Sequence, residues 1–159
     1  KKVETREMKF ALLGVLAHPL FILGGTALFA ATSWGTDTVL NSGFHGFSEI
    51  LYEFTSSSAN NGSGFEGLGD NTVPWNVATG LVMLLNRFIP IVFPMAIVGS
   101  LASKKASPET AGTLRTDTPL FGCVLFGCVL FVGALLFMPA AVLGPIADHL
   151  VNVAGIAAN

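Results

Sequence analysis

The sequence predicts an all-α membrane protein with three transmembrane helices and one re-entrant half-helix that leads into a short exposed loop. Three observations predict it. The 159 residues are 52% hydrophobic and only 11% charged, with a mean hydropathy of +0.67, outside the range of soluble domains. Three runs, residues 10–31, 75–101 and 119–147, reach the length of about 20 mostly apolar residues that a spanning helix needs. Between the first two lies a half-polar stretch, residues 41–68 (NSGFHGFSEILYEFTSSSANNGSGFEGL), held between hydrophobic walls. The net charge of −2, with the few basic residues gathered in two places, excludes nucleic acid as a partner.

The first helix, residues 10–31, follows Lys1, Lys2, Arg6 and Lys9. The opening words KKVETREMK carry neither an initiating Met nor the apolar centre of a signal peptide, so the chain is expected to begin inside a longer reading frame or after processing. His18 precedes Pro19 inside this run, which predicts a kink with the imidazole hydrogen-bonded in the bundle interior. Lys104, Lys105 and Arg115 lie between the second and third runs, and no Lys or Arg occurs between Lys9 and Arg87. By the positive-inside rule the N-terminus and the 102–118 loop are cytoplasmic, while residues 32–74 and the C-terminus face outside.

Residues 32–74 must therefore enter and leave on the same side, the behaviour of a re-entrant pore loop, which lipid permits only where protein or water surrounds it. Within it, residues 45–54 are expected to form about 15 Å of helix, half a hydrocarbon core, with Asn41 or Ser42 as the N-cap. Its C-terminal end would present partial negative charge to a cation at the membrane centre. Residues 55–64 (TSSSANNGSG) lack bulky side chains and read as extended backbone able to approach an ion. Asn60, Asn61, Gly62 and Ser63, after Ala59, are the filter candidates; the alternative is an ordinary polar turn, with Asn61-Gly62-Ser63 matching a glycosylation sequon by chance. Nothing here matches the TVGYG filter. Gly69, Asp70, Asn71 and Pro74 read as a turn. Glu49 and Glu53, four apart, share one helix face and suit an outer-vestibule or packing role; acid–base chemistry would need a second catalytic cluster that the sequence lacks. Asp37, Glu49, Glu53, Glu66 and Asp70, with nothing basic among residues 32–74, would concentrate cations at the mouth.

The second helix, residues 75–101, carries Arg87 near its middle, where a charge is expensive enough to suggest function. It either shapes the field of an ion path or pairs with the half-helix carboxylates or loop carbonyls. The third, residues 119–151, is a C-terminal transmembrane helix. It contains the tandem FGCVLFGCVL at 121–130, a period that keeps no single helix face, and Cys123 and Cys128 point about 140° apart, so neither a disulfide nor a metal site follows.

The words KKVETREMK, HGFSEILYEFTSSSANNGSGFEGL, RFIPIVFPMAIVGSLASKK, AGTL, PLF and PAAVLGPIADHL together resemble the C-terminal part of the potassium-transporting ATPase A subunit, the KdpA family. The resemblance implies a fold related to the superfamily of K⁺ transporters, in which four membrane-pore-membrane units surround one pore; residues 1–101 resemble the fourth unit. It implies a K⁺-binding, K⁺-translocating subunit of an ATP-driven uptake complex in the bacterial inner membrane, with no catalytic residues and no ATP binding of its own. The implied partners are a P-type ATPase catalytic subunit, small accessory subunits and the remaining units of the same pore subunit. Residue by residue, Asn60, Asn61, Gly62 and Ser63 match the family's NNNGS strand, Gly62 its filter glycine, and Arg87 the Arg of its GRF word. Ala59 stands where the family usually has Asn, Asn86 where it has Gly, and Ser42 and Phe44 where it has the prolines of NPGPHGF. Two rivals remain: a passive channel of four copies, and a non-conducting scaffold or gene fragment.

Overall fold

The computed structural model describes residues 3–106, 108, 110, 112–138 and 142–153, and all regular structure among them is helical. The elements are α1 (Thr5–Ala30), α2 (Ser33–Thr36), α3 (Gly43–Ala59), α4 (Val73–Ala102), α5 (Pro119–Met138) and α6 (Gly144–Val153). Of these, α1, α4 and α5 are long and apolar enough to cross a membrane. The chain divides into two compact units, residues 1–107 and 108–159.

In the first unit, α1 begins five residues before the apolar run. Glu4 and Glu7 explain this: the Glu4 N–H donates to Glu7 Oε2 at 2.7 Å, half of a capping box. Glu7, only 1% exposed, also accepts from Lys104 Nζ at 2.7 Å and from the Ser100 hydroxyl. These bonds pin the start of α1 to the end of α4. Burial acts against the Lys104 ammonium, but its bonds to Glu7 and Glu4 outweigh it and hold its pKa above the usual lysine value. Helix α1 runs on unbroken through Pro19, and His18 Nδ1 meets Ser58 Oγ of α3 at 2.7 Å.

At the other end of α1 the chain turns through α2 and sends α3 back along the same helix. Phe54 packs edge-on against Phe29, with centroids 5.1 Å apart, and Ser58 reaches down to His18. Helix α3 therefore stops about halfway along α1. The chain then climbs back, the Gly69 N–H donating to the Thr38 carbonyl at 2.8 Å, and α4 starts beside Phe29, whose ring lies 4.3 Å from Trp75. Entry and exit share one end, the geometry of a re-entrant segment. Thr72 caps α4 by accepting from the Trp75 N–H, with Pro74 in the first turn, where a missing N–H costs nothing.

The core of the unit is Phe29, Ile50, Phe54, Leu68, Trp75 and Val82. Lipid tails are as apolar as these side chains, so packing and polar anchors hold the helices together rather than water exclusion. Aromatic pairs of this kind contribute about 0.5–1.5 kcal/mol each beyond area burial. Trp75 Nε1 donates to Thr38 Oγ1 at 3.0 Å, tying the α4 start to the α2–α3 connection.

In the second unit the chain is helical over α5, Pro119–Met138, and α6, Gly144–Val153, both of which fall on the stretch expected as the C-terminal helix, residues 119–151. Residues 139–141 of that helix lie outside the described residues.

Adjacent glycines on α1 differ sharply. A Cβ on Gly25 would overlap the Phe54 ring, whereas one on Gly24 meets nothing within 4 Å. Gly25→Leu should destabilise by about 1–3 kcal/mol through overpacking, with Gly24→Leu near neutral, as read by thermal unfolding of the detergent-solubilised protein.

Candidate functional site

The sequence points to the end of α3, and there the structure departs from expectation. The half-helix was expected over residues 45–54 with extended chain from 55; α3 instead covers Gly43–Ala59, about 25 Å at 1.5 Å per residue. Side-chain hydroxyls carry the extra turn. Thr55 Oγ1 donates to the Leu51 carbonyl at 2.7 Å, Ser57 Oγ to Glu53 Oε1 at 3.3 Å, and Ser56, Ser57 and Ser58 are all buried. Ala59 is thus the last helical residue, not part of the extended strand.

The helix closes at Asn60, which takes the left-handed conformation at φ 60°, ψ 33°. The Asn61 N–H donates to the Ser56 carbonyl at 2.9 Å and the Asn60 N–H to Ser57 at 3.1 Å. This pair of bonds is a Schellman motif with Asn in the place glycine usually takes. Asn tolerates that region because its short polar side chain bonds locally; here Asn60 Nδ2 donates to the Ser58 carbonyl at 3.3 Å. Arg87 Nε donates to Asn60 Oδ1 at 3.1 Å. The mid-helix arginine therefore reaches the cap through the Asn60 side chain, and bonds neither a half-helix carboxylate nor a loop backbone carbonyl.

Beyond the cap, Gly62 has φ +76°, open to glycine and strained by about 1–2 kcal/mol for other residues. Ser63 is then held from below: its N–H donates to Ser56 Oγ at 2.9 Å, and its hydroxyl lies 3.1 Å from Ser56 Oγ and 3.0 Å from the Tyr52 hydroxyl. Residues 61–67 are exposed on the unit's surface. The result is an exposed, irregular segment of small residues fixed at the end of a helix that stops midway between two longer ones. Backbone in this state offers carbonyl groups to a cation, and the helix end beside it carries partial negative charge.

Tyr52 and Ser56 escaped the sequence reading as supports. Their spacing of four on one helix face, with Ser56 seven residues before Ser63, was the available signal. Ser42 occupies the N-cap position of α3 but makes no side-chain cap bond. Asn41 turns instead to Glu49, whose carboxylate accepts from Leu40 N at 2.9 Å, Asn41 N at 3.2 Å and Asn41 Nδ2 at 2.7 Å. Glu49, 5% exposed, packs and pins the loop that leads into α3. Glu53 is half-buried, its Oε2 beside Gly64, where a Cβ would sit 2.8 Å away.

Comparison with known proteins adds two findings. The family model described as potassium-transporting ATPase A subunit, KdpA, matches residues 1–150. A protein of Geobacillus kaustophilus (strain HTA426), named potassium-transporting ATPase potassium-binding subunit, is 53% identical over 150 residues, covering 94% of this chain and 27% of that protein. The chain thus spans about a quarter of the length of that relative.

Ser56 supports the strand through two bonds. Ser56→Ala should cost about 0.5–1.5 kcal/mol and speed amide exchange in a peptide covering residues 60–65, read by hydrogen–deuterium exchange mass spectrometry, with little change in peptides from α1.

Proposed function

Because this chain belongs to the KdpA family of potassium-transporting ATPase A subunits, we propose that it supplies one strand of a K⁺ selectivity filter in an ATP-driven uptake complex. The strand runs from Asn60 to Ser63, with Ala59 as the helical residue that delivers it. The observation that carries this reading is the open segment after Asn60, held at Ser63 by Ser56 and Tyr52 where α3 ends between α1 and α4. A dehydrating K⁺ exchanges water for backbone carbonyl oxygens. The α3 C-terminus lies beside it, and the acidic residues of 32–74, with no basic residue among them, raise the local cation concentration.

Arg87 is the counterweight. It binds the side chain of the cap residue, so it fixes the start of the strand and sets a positive charge beside that cap. Conduction and ATP hydrolysis are shared work: the other pore units complete the ring, a P-type ATPase subunit hydrolyses ATP, and small accessory subunits complete the assembly. The membrane is the bacterial inner membrane, with the Glu7–Lys104 end cytoplasmic and α3 entered from outside.

The reading is tested by growth of an uptake-deficient bacterium at micromolar K⁺, expressing the full-length subunit with its partners. Gly62→Asp should raise the K⁺ requirement for growth at least tenfold, because a side chain is forced into a φ of +76° and a carboxylate is set beside the carbonyls. Equal growth of the two strains would remove Asn60 to Ser63 from the filter. Arg87→Gln keeps a donor for Asn60 without the charge; its K⁺ requirement should change less than that of Arg87→Ala in the same assay.

A further inference from the structure

Asn86 is the most deeply buried amide in α4. It is 3% exposed, and neither Oδ1 nor Nδ2 has a hydrogen-bond partner among the described residues. Four residues on stands Pro90, inside the same helix. Proline has no N–H, so the backbone carbonyl of Asn86 lacks the donor that a regular helix would give it. One residue therefore gathers two acceptors and an NH₂ donor inside a protein interior where each unmade bond carries the full desolvation penalty of its group. The other orphan, Thr26 Oγ1, differs, because a threonine hydroxyl can rotate to the carbonyl four residues back on its own helix.

We propose that Asn86 holds an internal water between its side-chain amide and its own backbone carbonyl, and through that water positions the part of α4 that carries Arg87 to the end of α3. The chemistry selects water: a cation would satisfy the oxygens but face the NH₂ donors, whereas water both donates and accepts. Both amide atoms are enclosed as they stand, so seating the water requires the amide to turn about its broad terminal torsion. A neighbouring chain is not the partner, since Asn86 is enclosed by its own unit. Waters of this kind are a recognised means of satisfying carbonyls freed by proline in membrane helices.

Its place in the fold gives the water a task. The facing pairs Glu7 with Ser100, Phe10 with Phe93 and Phe29 with Trp75 set Asn86 near the level of His18, which meets Ser58 in the last turn of α3. The next residue, Arg87, bonds the cap residue Asn60. A fixed backbone at Asn86 fixes the root of that arginine. This inference rests on the filter reading above.

The experiment uses the full-length subunit in its complex, with thermal unfolding and the K⁺ concentration for half-maximal ATP hydrolysis as paired readouts. Asn86→Leu should lower the unfolding temperature and raise the half-stimulating K⁺ at least threefold; Asn86→Ser, which keeps a hydroxyl and room for a water, should stay close to wild type in both. An Asn86→Leu protein as stable as wild type or more so overturns the water, because removing a dry orphan is neutral or stabilising. Lower stability with unchanged K⁺ dependence overturns the positioning role. If Asn86→Leu does not assemble, Asn86→Ala replaces it, and equal behaviour of the Ala and Ser variants counts against the proposal. Gly62→Asp run in parallel separates the two readings: if it leaves the K⁺ dependence unmoved, the filter assignment has failed, while the unfolding comparison still decides the water.

Discussion

A helix that ends inside a membrane protein must satisfy its last carbonyls without bulk water, and the rest of this unit is arranged around how α3 does so. The Schellman turn at Asn60 closes two of them. Ser56 then turns its hydroxyl to the returning strand, so a single residue serves the helix through its carbonyl and the strand through its side chain. Without that double use the chain after Asn60 would have no fixed direction. Arg87 and His18 brace the same turn from α4 and α1.

Two polar girdles keep the long helices in register where apolar packing alone would allow sliding. One joins Glu4, Glu7, Ser100 and Lys104. The other joins Thr38, Gly69, Trp75 and, through Glu49, the Leu40–Asn41 backbone. Between them the aromatic cluster of Phe29, Phe54 and Trp75 fills the space that Gly25 leaves open. Small residue, ring and girdle are interdependent, because the ring reaches Trp75 only if α1 and α3 come as close as Gly25 allows.

Much of this was legible in the sequence, for reasons that can be named. Spanning helices announce themselves by apolar length, and the half-polar interval between two of them restricted what residues 32–74 could do. His18 and Arg87 stood out because polar groups at such depth need partners, and the partners proved to be Ser58 and Asn60. The end of α3 was misread because TSSSA looks like loop by propensity; burial of three serines and hydroxyl bonds back along the helix overrode that preference. Glu49 suited either an outer-vestibule or a packing role, and it is a buried anchor, a choice that depends on the fold of Leu40 and Asn41, nine and eight residues earlier.

The Glu7–Lys104 bond joins residues 97 positions apart. Ribosomes add roughly 5–20 residues per second, so for roughly 5–20 s after its own synthesis Glu7 is without Lys104. Until then the carboxylate is left to water, because an unpaired charge is costly to bury. Closure of this pair is therefore a late event in biogenesis, and the joining of the start of the first helix to the end of the second waits on completion of the second.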